Sequence, residues 1–157
     1  MSHVRLERLG GALRAGLLAG AAGGLAMTVS TNVEMRLRGR PPSVVPVQSV
    51  ERLVGIDLDR NTEERLATIG HIVSSALLGS ARGVLSLVAL PAPVLDGLFA
   101  VGAFLPDFAL IPATGQVPPP WRWSATDLTV AAWHHAAYAA VTIGAYHRLA
   151  ASTRAVA

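Results

Sequence analysis

The feature that most constrains this chain is where its charges are missing. A run of 19 residues from Ala15 to Val33 carries none, and a second run of 19 extends from Leu128 to Tyr146. Between Leu66 and Trp121 only Arg82, Asp96 and Asp107 interrupt 56 residues. Crossing ~30 Å of hydrocarbon takes roughly 20 mainly apolar residues at the rise of an α-helix. A water-soluble bundle would show a polar stripe on every helix instead. The pattern therefore predicts one all-α domain over residues 1–157, a polytopic membrane four-helix bundle with up-down connectivity. Its spans fall at about 11–30, 66–90, 93–111 and 126–148, with a polar loop over 34–65. The first partner such a chain needs is the lipid bilayer.

Composition removes the competing classes. With 52% hydrophobic and only 15% charged residues, the chain is the reverse of a disordered one. The absence of cysteine rules out a disulfide framework and thiolate metal sites. The net charge of +3 comes from 13 arginines and no lysine. They are scattered along the chain, whereas a nucleic-acid footprint needs a basic stripe, so no nucleic acid is expected. Arginines flank the spans on both sides in similar numbers, which leaves orientation open under the positive-inside rule.

Local signals set the boundaries. The first helix is expected to run on through Glu34 until Arg40-Pro41-Pro42 stops it. Within the polar loop, Pro46 to Gly55 reads as a short amphipathic helix with Val47, Val50, Leu53 and Val54 on one face, suited to the membrane interface or to capping the bundle. Asn61 with Glu64 resembles a capping box that starts the second span near Thr62. Pro106 should kink the third span. Trp121 and Trp123 fit an interfacial aromatic belt, and Ser124 with Asp127 caps the fourth span. Arg5, Arg8 and Arg14 before the first apolar run, with Gly24-Leu25-Ala26 behind it, also fit a signal peptide. The length of that run favours a retained span.

Small residues recur every four positions as Gly16, Gly20 and Gly24 in the first span and as Ser75, Gly79 and Gly83 in the second. Such ridges let helix backbones approach closely, and packing is what associates helices in lipid. If left unfilled, they would provide a surface for a homodimer.

Ionisable groups within spans are the default functional candidates. Alternating helix direction places Glu34, His71, Asp107, His134 and His135 in one half of the bilayer. They can serve as hydrogen bonds between helices, as a proton or solute path, as ligands of a divalent metal, or as haem ligands from His71 and one helix-four histidine. Adjacent helical positions point about 100° apart, so one of His134 and His135 is expected to face the bundle centre. Tyr138, four residues after His134, is placed to donate to its ring. Nearer the termini, Arg82 and Asp96 are expected to form an intramembrane ion pair. The chain has no Gly-x-Ser-x-Gly elbow, phosphate loop or His-Glu-x-x-His motif. Ser74 and Ser75 share a helix with His71 at offsets unsuited to a dyad. No catalysis and no resident cofactor are therefore expected.

Leu110-Ile-Pro112, the stretch Gly115-Gln-Val-Pro-Pro-Pro-Trp121, His134-His135 and the terminal His147-Arg148 together resemble the last two spans of the YagU-like bacterial inner-membrane proteins. The glycine-rich first span and the His71-led second span with Gly79 and Gly83 are similar too; the first loop lies outside the resemblance. It implies a multi-pass protein of the bacterial cytoplasmic membrane of unknown biochemical function, and it brings no catalytic residues. The expected role is accessory, structural or stress-related. The alternative is a small transporter or channel subunit that uses the histidine and carboxylate cluster.

Overall fold

The computed structural model of the chain describes residues 3–155. Among these every regular element is helical: α1 (His3–Arg38), α2 (Val45–Val54), α3 (Arg60–Leu85), α4 (Ala92–Gly102), a π-helical turn (Pro106–Leu110), the single turn α5 (Ile111–Ala113), a 3₁₀ turn (Pro120–Arg122) and α6 (Ala125–Ala155).

Most termini follow from local chemistry. α1 stops at Gly39, whose φ of 62° turns the chain left-handed. The Arg40 amide then returns to the Met35 carbonyl at 3.0 Å, so glycine ends the helix before the Pro-Pro pair is reached. α2 starts with Pro46 in its first turn and ends at Gly55, φ 73°. α3 begins two residues earlier than Thr62. Its cap is Asp59 rather than Asn61, and the Asp59 carboxylate accepts from the amides of Asn61 and Thr62 at 3.0 and 3.1 Å. A carboxylate can take both orphan amides of the first turn, which places the start ahead of the asparagine. Ser124 caps α6 as the sequence implies, with the Asp127 amide donating to its hydroxyl at 3.1 Å.

Three expected boundaries move. The second span was expected to reach Leu90, but α3 ends at Leu85. There the Ser86 hydroxyl donates to the Gly83 carbonyl at 2.6 Å, and the next residues turn the chain toward Pro91. The third span is broken rather than merely kinked. Pro106 has no N–H to give the preceding turn, so α4 stops at Gly102 and the chain re-forms as a π turn, with the Ile111 amide reaching the Pro106 carbonyl. α6 passes the expected end near Arg148 and continues to Ala155, because no glycine or proline follows Gly144 within it.

α1 is the hub, lined on one side by α3 and on another by α6. The two small-residue ridges meet each other there. A methyl group on Gly16 would stand 2.6 Å from the Gly79 carbonyl, one on Gly79 would stand 2.5 Å from the Gly16 carbonyl, and one on Gly24 would meet Ser75 Cβ at 2.6 Å. Gly20 likewise faces Ser75 and Gly79, and Gly83 faces Ala12. The ridges are filled within the chain, so they do not offer the surface for a second copy that their spacing alone implied. Aromatic and small side chains fill the remaining core, with Phe99, Ala103 and Tyr138 packed together.

Among the described residues, two segments are long and apolar enough to cross a membrane, Arg5–Arg38 and Ala92–Ala113. α3 and α6 have the length, but their serines, threonines and histidines make them less apolar.

A candidate site in a histidine-lined cleft

The Arg82–Asp96 pair joins α3 to α4 at one end of the molecule, and the other end is open. A cleft of about 700 Å³ lies there between α1, α3, α6 and the π turn. His71, Asp107, His134, His135 and Tyr138 all line it, together with Trp123. The break at Pro106 puts Asp107 in the wall: with Pro106 unable to donate, the π turn widens and carries the carboxylate inward.

His134 and His135 are both buried, at 6% and 5% exposure. The expectation that only one would face inward fails, because the ~100° between neighbouring helical positions aims them at two different elements. His134 faces α1. Its Nδ1 bonds the Ser30 hydroxyl at 2.9 Å, and its Nε2 lies 4.0 Å from the Glu34 carboxylate. Ser30 was absent from the candidate set, although it sits four residues before Glu34 on the same face of α1. His135 faces the π turn. Its Nδ1 bonds the Ala131 carbonyl at 2.9 Å, its ring stacks on Phe104 at 4.5 Å, and its Nε2 lies 3.6 Å from Asp107.

Tyr138 does not donate to His134. Its hydroxyl crosses to the Ser75 carbonyl on α3 at 2.8 Å, because the small residues of the ridge bring α3 near enough to be reached. Ser74 bonds the His71 backbone carbonyl, not its ring. Glu34 is not among the lining residues; Arg38 and Arg40, which are, each hold its carboxylate at 2.8 Å. Among the described residues, the Nε2 atoms of His71 and His134 are buried without a hydrogen-bond partner.

This geometry bears on the cofactor expectations. Among the described residues no three histidine or carboxylate side chains gather closely enough to hold a metal ion. A haem needs clear space in front of an axial nitrogen for the porphyrin plane. Here Glu34 stands 4.0 Å in front of His134 and Asp107 stands 3.6 Å in front of His135, so a haem does not fit on either.

The opposite end holds a second polar cluster. Arg82, 2% exposed, reaches Asp96 Oδ1 with Nε at 2.7 Å and Nη2 at 2.6 Å. His147 Nε2 takes the other Asp96 oxygen at 2.9 Å, and the Tyr146 ring lies 4.6 Å from the guanidinium carbon. His147 and Tyr146 were missed as partners. Asp96's second oxygen, which Arg82 alone leaves open, is the signal that would have pointed to His147.

Above the cleft, α2 is oriented against soluble-protein logic. Its polar side faces the protein: Ser49 meets Thr114 at 3.0 Å, the Gln48 amide donates to Glu63 at 2.8 Å, and Glu51 accepts from the Leu58 amide at 2.7 Å. Val50, Leu53, Val54 and Ile56 point outward.

Comparison of the chain with family models, with curated proteins and with solved structures yields no match, so the geometry of this chain alone carries its functional reading.

Proposed function

We propose that this chain is a multi-pass protein of a bacterial cytoplasmic membrane. α1, α3, the α4–α5 segment and α6 cross the bilayer, and α2 lies along the interface. Its role is accessory, structural or stress-related, without catalysis of its own.

The observation that carries this reading is the inverted distribution of polarity. Arg82, His134 and His135 are buried, while Leu18, Val29, Leu77 and Val101 are 56%, 64%, 61% and 72% exposed. In water, apolar surface costs about 25 cal/mol per Å², and soluble monomers rarely expose contiguous apolar patches above a few hundred Å². In hydrocarbon the same surface meets its own kind, and the polar groups are the ones that must turn inward. The helix of a soluble core would be covered, yet only 28% and 17% of the two most apolar windows is buried. The outward apolar face of α2 and the exposed Trp121 suit the interface. α1 is the packing hub of the molecule, which favours a retained span over a removed signal.

The chain has no cysteine, so single cysteines introduced at Val29, Leu77, Val101 and Trp133 report topology without background. Labelling by a membrane-impermeant maleimide in intact membranes should fail at all four and succeed only after detergent is added. Full labelling before detergent would overturn the bilayer placement. A second reading, a small-solute or proton path, is favoured by the two partnerless imidazole nitrogens in the cleft. Flux in liposomes that His134→Ala abolishes would establish it.

A further inference from the structure

The cleft's electrostatics are more specific than its outline. Of the cations on its wall, Arg38 and Arg40 are both engaged by Glu34 at 2.8 Å. Of its carboxylates, Glu64 is held by Arg60 at 2.9 Å, and Asp127, which accepts from the Ser124 hydroxyl at 2.6 Å, shares with Glu34 the two charges of Arg38 and Arg40. Asp107 has no arginine partner among the described residues, and its side chain is 45% exposed. The charge left uncompensated in the cleft is therefore negative.

The neighbouring imidazole adds a direction. A carbonyl oxygen only accepts, so the Ala131 contact makes His135 Nδ1 the donor. Its Nε2 lies 3.6 Å from Asp107 Oδ2. At that distance the two atoms make no direct hydrogen bond, which leaves a donor group from a ligand room to be shared between them.

The walls beside this pair are aromatic. Trp123 and Tyr138 line the cleft. Trp123 is fixed by Phe108 at 5.3 Å and Phe108 by Phe104 at 5.7 Å, while Phe104 stacks on His135. Aromatic faces attract cations, and more strongly when desolvated. Deeper in, Met27, Leu78 and Ala103 provide apolar lining. The volume of about 700 Å³ falls in the ~300–1,000 Å³ range of small-molecule sites.

We propose that this cleft binds a protonated organic amine, with its ammonium between Asp107 and His135 and its apolar body against Trp123 and Tyr138. The proposal deepens the second reading above by naming a ligand class, and it stands whether or not the ligand is moved across a membrane. Equilibrium binding reads it directly, whereas the maleimide and flux experiments read placement and transport.

The test uses the full chain purified in detergent and three probes that share one body: 4-phenylbutylamine, 4-phenylbutanol and 4-phenylbutyrate. Calorimetry should show saturable binding of the amine, with the alcohol and the acid at least about tenfold weaker. Asp107→Asn keeps shape and removes charge, and it should weaken the amine by about tenfold or more while leaving the alcohol unchanged. Trp123→Leu gives an independent variant away from the buried core and should weaken the amine several-fold. Equal binding of the alcohol or the acid would overturn the proposal. So would undiminished amine affinity in folded Asp107→Asn or, if that variant does not fold, in Trp123→Leu.

Discussion

The two ends of the molecule use the same side-chain chemistry to opposite effect. At the Arg82 end, cation, carboxylate and imidazole sit within hydrogen-bonding distance of one another, and the guanidinium is covered. At the cleft end, imidazoles and carboxylates stand 3.6 and 4.0 Å apart, just beyond bonding reach, and two ring nitrogens have no partner. The first arrangement, in which charge is paired and Nη1 of Arg82 alone lacks a hydrogen-bond partner among the described residues, is a lock between α3, α4 and α6. The second keeps its groups free for something that is not part of the chain. Closed polar networks rigidify a core, and partly satisfied ones are where ligands and protons act.

If that contrast is right, the largest loss of stability comes from breaking the lock. Asp96→Asn leaves Arg82 buried at 2% exposure without its counter-charge. Removing one partner of a buried pair costs about 3–5 kcal/mol. Thermal unfolding in detergent should show Asp96→Asn as the most damaging single change among the polar residues considered. A shift no larger than that of His134→Phe would mean the two ends are not different in kind.

The glycine ridge runs between the ends and tests them by degree. At the lock, a methyl on Gly83 meets the Ala12 backbone carbonyl, which cannot move without displacing α1. Near the cleft, a methyl on Gly24 meets Ser75 Cβ at 2.6 Å; that atom is fixed to the backbone of α3, so the helices must shift there too, but over a smaller overlap. Overpacking costs about 1–3 kcal/mol where neighbours are fixed. Gly83→Ala should fall at the upper end of that range and Gly24→Ala at the lower end, whereas Gly97→Ala, with open space around it inside α4, should be neutral or stabilising, because alanine favours the helix. The order Gly83, Gly24, Gly97 is what the unfolding measurements must reproduce.

The cleft histidines should weigh less in stability. His134 has one hydrogen bond, to Ser30, and a single neutral bond is worth about 1 kcal/mol net. His134→Phe keeps the ring and loses that bond, so it should unfold within ~1 kcal/mol of the parent protein. A loss as large as that of Asp96→Asn would make the cleft a structural element instead of a site.

The sequence revealed these ends unequally, for physical reasons. Charge is so costly in an apolar setting that Arg82 and Asp96 could be paired by elimination, because no other acid lay within a long side chain's reach on the neighbouring turn. The ridges were legible because a four-residue period of small side chains fixes which face approaches a neighbour. Which partner they approach was not legible, since spacing says nothing of whether the facing helix belongs to the same chain. Pro106 announced a disturbance, but whether a helix kinks, breaks or widens into a π turn depends on what surrounds it. The orientations of His134, His135 and Tyr138 were beyond the sequence because three elements converge on them. A helical wheel gives the angle between two residues on one helix and not what stands opposite each.

The smallest expected effect lies at the start of α3, at the cleft end, where an exposed side-chain cap completes the first turn. The Thr62 hydroxyl, and after it the Thr62 amide, hold the Asp59 carboxyl below its ordinary value of 3.8. A carboxyl lowered in the folded state adds stability that is complete above the ordinary value and disappears as pH falls through the lowered one. The cap should therefore loosen only in acid below 3.8, and amide exchange at Asn61 and Thr62 should quicken there. Thr62→Val removes the largest cause of the lowering, so the folded value moves back toward the unfolded one and the acid-dependent component shrinks. Exchange at Gly83 and Ser86, beside the lock, should not respond over the same range, because Asp59 caps one end of α3 and the Arg82 network holds the other. A parallel response at both ends would mean that α3 unravels as one unit, and the division between a locked end and an open end would then not extend to its dynamics.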